Sequence, residues 1–327
     1  MRGLLEVRGL RVTFPGWGGA VKAVDGVSFG LEKGETLGLV GESGCGKTMT
    51  ALALLRLIPP PGMIAGGEIF FEGRDLLAWP EEEMRRIRGK KIAMIFQEPM
   101  TSLNPVFTVG DQIEETIRAH ERVGRSSARE RALRLLAEVN IPSPAQRLSA
   151  YPHQLSGGMR QRVMIAIALS CRPLILIADE PTTALDVTVQ AQILKLLSRL
   201  RRELDMALLL VTHDLGVVAQ ETARVAVMYL GRIVEAAATR DLFARPLHPY
   251  TAALMRSIPR LGETKRRLAA IPGNVPDPLQ RPPGCSFHPR CPLAEPVCRR
   301  EDPVLIEFLP GHAAACHVAR RECHGRT

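Results

Sequence analysis

The chain has 327 residues, 46% of them hydrophobic and 24% charged, a globular composition that excludes a disordered chain. Aromatics at 4% are low for an all-β sandwich or a base-stacking nucleic-acid module, and no apolar run approaches the ~18 residues of a transmembrane helix. Of the net charge of +9, residues 224–327 contribute +7 (16 Lys+Arg against 9 Asp+Glu), scattered along the segment as on a solvated face.

Met1 to Leu10 carries Arg2, Glu6 and Arg8, so it lacks the apolar core of a secretory signal, and the expectation is a cytosolic protein. Leu4–Phe14 and Val21–Leu31 read as strands around a turn at Pro15–Gly19. Thr36–Val40 is a short, nearly all-apolar run, the pattern of a strand buried on both faces. The glycine loop Gly41–Gly46 follows, then a helix Thr48–Leu57 stopped by Pro59, Pro60 and Pro61. Glu68–Phe71 and Ile92–Phe96 are further strands. Asp111–His120 and Ala128–Val139 have helical periodicity and predict a helical subdomain over about 100–170, inserted into the strand-rich core. Helices Val163–Ser170 and Val187–Leu204 alternate with buried strands Leu174–Ala178 and Ala207–Val211, which implies an α/β fold with a mainly parallel sheet. Thirteen of the 25 prolines lie after Arg240 and five of the seven cysteines between Cys285 and Cys323, so the composition shifts near residues 235–245. The expected division is a main domain at 1–240 and a Cys/Pro-rich extension at 241–327.

Three segments carry chemistry. Gly41-Glu-Ser-Gly-Cys-Gly-Lys47-Thr48 fits the phosphate loop G-x-x-x-x-G-K-[ST], whose four fixed positions occur by chance on the order of once per hundred chains this long. Its glycines let backbone N–H groups turn toward phosphate oxygens, and the following helix N-terminus adds positive potential. Lys47 is expected to reach the β/γ-phosphates and Thr48 to offer a hydroxyl to Mg²⁺, with Gly41, Ser43, Gly44, Cys45, Gly46 and Met49 completing the ATP cradle. Leu174-Ile-Leu-Ile-Ala-Asp179-Glu180 ends an apolar strand in two carboxylates: Asp179 to hold Mg²⁺ through its water shell, Glu180 to polarise the attacking water. In Leu155-Ser156-Gly157-Gly158-Met159-Arg160-Gln161, a serine and two glycines open a helix and form a second phosphate-binding N-terminus. One nucleotide in one chain has no use for two such termini. A dimer does, if each signature caps the nucleotide of the other chain.

In this order, with Gln97, Asp186 and His213 between and after, the segments resemble the ATP-binding subunits of ABC transporters over residues 4–235. The resemblance implies a P-loop NTPase core with an N-terminal antiparallel β-subdomain and a helical insert. It also implies that Phe14 stacks on adenine (a strand-end core aromatic being the alternative), that Gln97 touches Mg²⁺ and water, that Asp186 contacts the opposite chain, and that His213 holds the γ-phosphate. Phe96-Gln-Glu-Pro-Met-Thr-Ser-Leu-Asn-Pro105, Pro181–Gln192 and Pro246-Leu-His-Pro-Tyr250 look like the oligopeptide/dipeptide (and nickel) importers, first ATPase subunit type. The partners implied are a second homologous ATPase subunit in a heterodimer, two membrane permeases and an extracytoplasmic peptide-binding protein, with no nucleic acid; the place implied is the cytoplasmic face of the inner membrane. A nickel or other solute importer, and a soluble ABC ATPase acting on nucleic acid or ribosomes, are the alternatives.

Cys45 stands where that family usually has Ser, and a thiol at a helix N-terminus is expected to have a lowered pKa, so that its alkylation would block hydrolysis. In the tail, Cys285, Cys291, Cys298 and Cys316 are spaced unlike C-x2-C zinc pairs, with Cys323 beyond them. The resembled subfamily carries a 4Fe–4S cluster at such cysteines, which is the reading adopted; Zn²⁺ and free thiols are the alternatives.

Overall fold

The computed structural model describes residues 3–16, 18–98, 102–183, 185–257 and 271–324. The chain forms two compact units. The first takes in residues up to Leu31, Thr36–Leu77 and the chain from Leu210 onward; the second takes in Glu32–Glu35 and Ala78–Leu209.

The first unit begins with the hairpin Leu5–Gly16 and Gly19–Leu31, paired from Leu5↔Leu31 to Gly16↔Gly19. Alternation puts Leu5, Val7, Leu10 and Val12 in the core, and the register slips between Val7 and Leu10, around Gly9 at φ +56. Met63–Phe71 pairs on the other side of the first strand, followed by Arg74–Asp75, completing a four-stranded antiparallel sheet. This strand starts five residues before the expected Glu68, because Gly66 and Gly67 mask its pattern. Gly67 sits at φ +97, and a Cβ there would lie 2.6 Å from Leu10 Cα. The wholly buried strand Thr36–Val40 runs parallel to Arg224–Tyr229. Arg224–Tyr229 is antiparallel to Arg232–Ala238, and that strand pairs with His312–Ala314 of the tail hairpin Ile306–Leu309/His312–Ala314.

The tail therefore extends the sheet that begins at the strand before the phosphate loop. One apolar cluster joins Val40, Val227 and Tyr229 to Tyr250 and Phe287 of the tail, with Cys285 and Cys291 packed against it. The fully buried Glu235 carboxylate binds the seam: it accepts from Leu247 N–H (2.7 Å) and His248 N–H (2.9 Å) and lies 2.7 Å from His312 Nε2. A carboxylate this deep is tolerable only because it is so fully hydrogen-bonded. Burial holds the His248 imidazole down to about 4, so it stays neutral.

In the second unit the strands Ile92–Ile95 and Ile175–Asp179 are parallel, from Ile92↔Ile175 to Ile95↔Ala178. Between them come the helices Val109–His120, Arg125–Glu138, Pro144–Arg147 and Gly157–Leu169. The first starts at a capping box, Thr108 with Asp111, two residues before the apolar period suggests. Its buried face (Val109, Ile113, Ile117) and that of the next helix (Ala128, Ala132, Leu136) form the core of the insert. The wholly buried strand Ala207–Thr212 carries the chain back into the first unit.

Candidate functional site

In the first unit, Gly41 follows the buried strand Thr36–Val40 and Gly46 caps the helix Lys47–Leu54. Both need glycine: a Cβ on Gly41 would lie 2.3 Å from the Met228 carbonyl oxygen, and one on Gly46 2.2 Å from that of Ala23. Gly44 at φ +76 faces open space, and Ser43 beside it is exposed, so the crown of the loop is accessible. Lys47 is only 5% exposed; its Nζ donates to the carbonyls of Gly41 (2.8 Å) and Glu42 (3.0 Å), which holds the loop in a closed turn. Thr48 and Met49 are half-buried in the first helical turn, which carries no acidic residue, so the positive end of the helix is unopposed.

Cys45 corrects an expectation. It is 2% exposed and packed under the loop, and burial raises its thiol pKa, outweighing the lowering by Lys47. Desolvation of the thiolate wins over the Lys47 ammonium, so Cys45 is a core residue here and not an activated thiol.

Phe14 is half-buried near the end of the first strand. Its ring lies against Gly62, where a Cβ would come within 2.4 Å of it. His213 is exposed just after the strand Ala207–Thr212, and the next residue, Asp214, caps the helix Leu215–Glu221 through Gly216 and Val217 N–H.

The other half of the expected set lies in the second unit. Asp179 is the last residue of its strand and 1% exposed. Glu180 leaves the strand at φ +45, a left-handed conformation unusual for a glutamate. Gln97 emerges two residues beyond the adjacent parallel strand, and its Nε2 donates to Glu180 Oε2 at 3.0 Å. Thr183 Oγ1 donates to the same oxygen at 2.9 Å, a partner that the sequence reading missed. Gln97 and Glu180 thus meet at the carboxyl ends of neighbouring parallel strands, where α/β sheets bind their ligands.

Ser156 caps the helix Gly157–Leu169, its Oγ accepting from Met159 N–H at 3.4 Å; Ser156 and Gly157 are exposed and the first turn carries no acid. Gly158 is required by packing, since a Cβ would lie 2.7 Å from Val189 Cγ1. Gln161 is buried, and its Nε2 has no partner among the described residues. Asp186 is exposed and caps the helix Val187–Leu204 through Val189 N–H at 2.9 Å. Of the motif segments, Pro99, Met100, Thr101 and Ala184 lie outside the described residues.

The four tail cysteines share one region but do not build a single-ion site. Cys285 N–H donates to the Cys298 carbonyl at 2.9 Å, and the Cys285 thiol feels the charges of Cys291, Cys298 and Cys316. Burial, chiefly, pushes Cys285 up to about 12 and Cys316 to about 11. Among the described residues no three His, Cys, Asp or Glu side chains form a group that could hold a metal ion, which supports neither the 4Fe–4S nor the Zn²⁺ expectation. The side chain of Cys323 lies outside the described residues.

Sequence reasoning also missed Glu42, Tyr250 and Arg290. Glu42 is a variable position of the loop pattern, and its N–H donates to Tyr250 Oη at 2.9 Å. Arg290 grips its carboxylate from the tail, at 2.7 and 3.0 Å. The family-like segment Pro246–Tyr250 was the available signal for Tyr250; none existed for Arg290.

Comparison with known proteins agrees with this geometry. A family model described as ABC transporter matches residues 24–183, and one described as oligopeptide/dipeptide transporter, C-terminal region, matches residues 234–298. The chain is 56% identical over 315 residues to a probable peptide ABC transporter ATP-binding protein of Sinorhizobium fredii, covering 96% of this chain and 94% of that one. It is 50% identical over 314 residues to the dipeptide transport ATP-binding protein DppD of Escherichia coli (96% of each). To the oligopeptide transport protein OppD of Salmonella typhimurium it is 51% identical over 313 residues (96% and 93%). Among solved structures, the dimeric post-hydrolysis ATP-binding cassette MJ0796 bound to ADP and Pi aligns with a TM-score of 0.66 at 27% identity, over 72% of this chain and 99% of that one. For cbiO1 of Clostridium perfringens the TM-score is 0.63 at 25% identity, over 75% and 92%.

Proposed function

Since the chain belongs to the ABC transporter ATP-binding proteins, in their oligopeptide/dipeptide branch, we propose that it is the ATP-hydrolysing subunit of a peptide importer, working as half of an ATPase pair. The observation that carries this reading is the coexistence in one chain of a phosphate loop, a Gln97–Glu180 pair at adjacent strand ends, and a second exposed helix N-terminus at Ser156–Gly157. The loop N–H groups and Lys47 would take the phosphates, and His213 the γ-phosphate. Thr48, Gln97 and Asp179 have the oxygen donors that Mg²⁺ requires. When bound there, Mg²⁺ would supply charge neutralisation at the phosphates. Glu180, oriented by Gln97 and Thr183, accepts the proton of the attacking water. Asp186 and the Ser156–Gly158 and Gln161 signature serve the nucleotide of the companion chain, a second related ATPase. Opening and closing of that pair would drive two permeases at the cytoplasmic face of the membrane, supplied by an extracytoplasmic peptide-binding protein. Support for a permease contact comes from Val106 and Phe107, which stand 71% and 49% exposed in the loop before the helix Val109–His120. No described helix is long and apolar enough to cross a membrane, so membrane attachment runs through partners in this reading.

The domain division proposed is 1–240 for the ATPase, with its helical subdomain at about 100–170, and 241–327 for the extension. Relatives named for dipeptides and oligopeptides favour peptide over nickel as cargo. For the tail the proposal is a 4Fe–4S cluster at Cys285, Cys291, Cys298 and Cys316, on the subfamily resemblance alone; among the described residues no three His, Cys, Asp or Glu side chains form a group that could hold a metal ion. The four cysteines would supply the four thiolates that such a cluster requires. The raised thiol pKa values mean that loading would release protons and be favoured by higher pH.

One preparation tests both parts: the chain co-expressed with its genomic neighbours and purified without oxygen. The expected result is co-purification of a second ATPase and two permeases, peptide-stimulated ATP turnover, and about four iron atoms per chain with visible absorption. Isolation without permeases, with turnover stimulated by nucleic acid, would contradict the transport reading; absence of iron would remove the cluster alone.

A further inference from the structure

We propose that Arg290 of the cysteine-bearing tail is a positioning residue of the phosphate loop: through its fork on Glu42 it fixes the loop for nucleotide phosphates and neutralises the loop's own carboxylate. The inference rests on the ATP reading above and deepens it.

Every polar group of Glu42 has a hydrogen-bond partner. Its N–H donates to Tyr250 Oη at 2.9 Å, and its carbonyl accepts from Lys47 Nζ at 3.0 Å. Its carboxylate takes both arms of Arg290, Nη1 to Oε2 at 2.7 Å and Nη2 to Oε1 at 3.0 Å. Two of these three ties come from the tail, more than 200 residues further along the chain.

Arg290 is itself anchored. Its side chain is 4% exposed, its Nε donates to the Pro272 carbonyl at 3.1 Å, and its guanidinium lies 5.9 Å from the Tyr229 ring centre. Tyr229, which it meets, packs ring on ring with Tyr250 and Phe287 at 4.7–5.3 Å. A planar fork against a carboxylate is the most directional ion pair available to a protein. Buried pairs of this kind give orientation more readily than net stability, because desolvation offsets their attraction.

A carboxylate in a phosphate-binding loop opposes its ligand unless neutralised. Glu42 follows Gly41, the first fixed residue of the loop, and sits five residues before Lys47. Arg290 cancels the charge and holds the side chain toward the tail. Without it, one uncompensated negative charge stands near a polyanion, and at an effective dielectric of about 20 a unit charge roughly 12 Å from another weakens binding roughly tenfold. Arg290 also immediately precedes Cys291, so the folding of the cysteine segment reaches the loop through one peptide bond and one ion pair.

The test uses the full chain with its co-purified partners and MgATP as the probe, measured by displacement of a fluorescent ATP analogue and by steady-state kinetics. For R290Q the expected result is a roughly tenfold rise in Kd and KM for MgATP, with kcat at saturation within about twofold. The double variant E42Q/R290Q recovers most of the loss, since removing the carboxylate removes the repulsion. R290K falls between, because an ammonium keeps the charge without the fork. A merely structural role would move thermal stability and leave the KM split and the double-variant recovery absent. An unchanged Kd for R290Q overturns the proposal, as does a double variant no better than R290Q. If R290Q does not fold, R290K decides, and a wild-type KM for it overturns the proposal. Failure of the wild-type chain to bind MgATP at all would instead sink the nucleotide reading beneath it.

Discussion

Glu180→Gln is expected to bind MgATP as the natural chain does while hydrolysing it at least about 100-fold more slowly, the scale lost with a positioned general base. The side chain leaves a wholly buried strand and turns at φ +45, so its backbone is held by the fold. Its Oε2 already accepts from Gln97 Nε2 (3.0 Å) and Thr183 Oγ1 (2.9 Å), which fixes the carboxylate plane. An amide of the same shape retains the volume and loses only the proton-accepting capacity. Binding should persist because the phosphate contacts come from the loop, and the ATP-bound closed pair should accumulate because its exit step is blocked. Nucleotide affinity, steady-state turnover and molecular mass with MgATP, measured on one preparation, check the three parts; natural turnover in the variant would refute the role of Glu180.

Lys47→Ala should act one step earlier and lose nucleotide binding itself. The ammonium is 5% exposed and bridges the Gly41 and Glu42 carbonyls, so it serves the loop's shape as well as the ligand. Its removal takes away a cation that phosphates would meet in a partly desolvated setting, where one lost donor costs about 100- to 1,000-fold in turnover. Loop geometry then also depends on the remaining ties to Glu42, from Tyr250 and Arg290. Equilibrium binding of MgATP separates this variant from Glu180→Gln: affinity falls in the first and holds in the second. Equal affinity in both would mean that Lys47 does not touch the phosphates.

The two variants probe what was legible in the sequence. A phosphate loop is readable because glycine positions, a lysine and a hydroxyl are all local, and the buried strand before them is a short apolar run. The acid pair was readable for the same reason. Local signals misled where packing decides. The helix after the loop ends at Leu54, not Leu57: Leu55 N–H turns to the Leu52 carbonyl and Arg56 adopts φ +53, while apolar residues continue past the stop. Cys45 was read from its place at a helix start, yet its burial reverses the expected pKa direction.

Contacts distant in sequence left no trace at all. The Glu42–Arg290 fork and the pairing of Glu235 with His312 join residues that no periodicity relates. The tail's composition suggested an appendage, whereas its hairpin pairs with Arg232–Ala238 and its aromatics share a core with the strand before the loop. Sheet pairing and core filling are set by the whole chain, and a composition shift does not report them.

The central claim is that this chain holds half of each composite nucleotide site and borrows the other half from a companion. It is tested most directly by ATP turnover per chain, measured across serial dilution with and without the companion ATPase. The account predicts that turnover falls on dilution of the lone chain and is restored by a companion with an intact signature, but not by one whose serine equivalent to Ser156 is replaced by arginine. Full, dilution-independent turnover by the isolated monomer would contradict it.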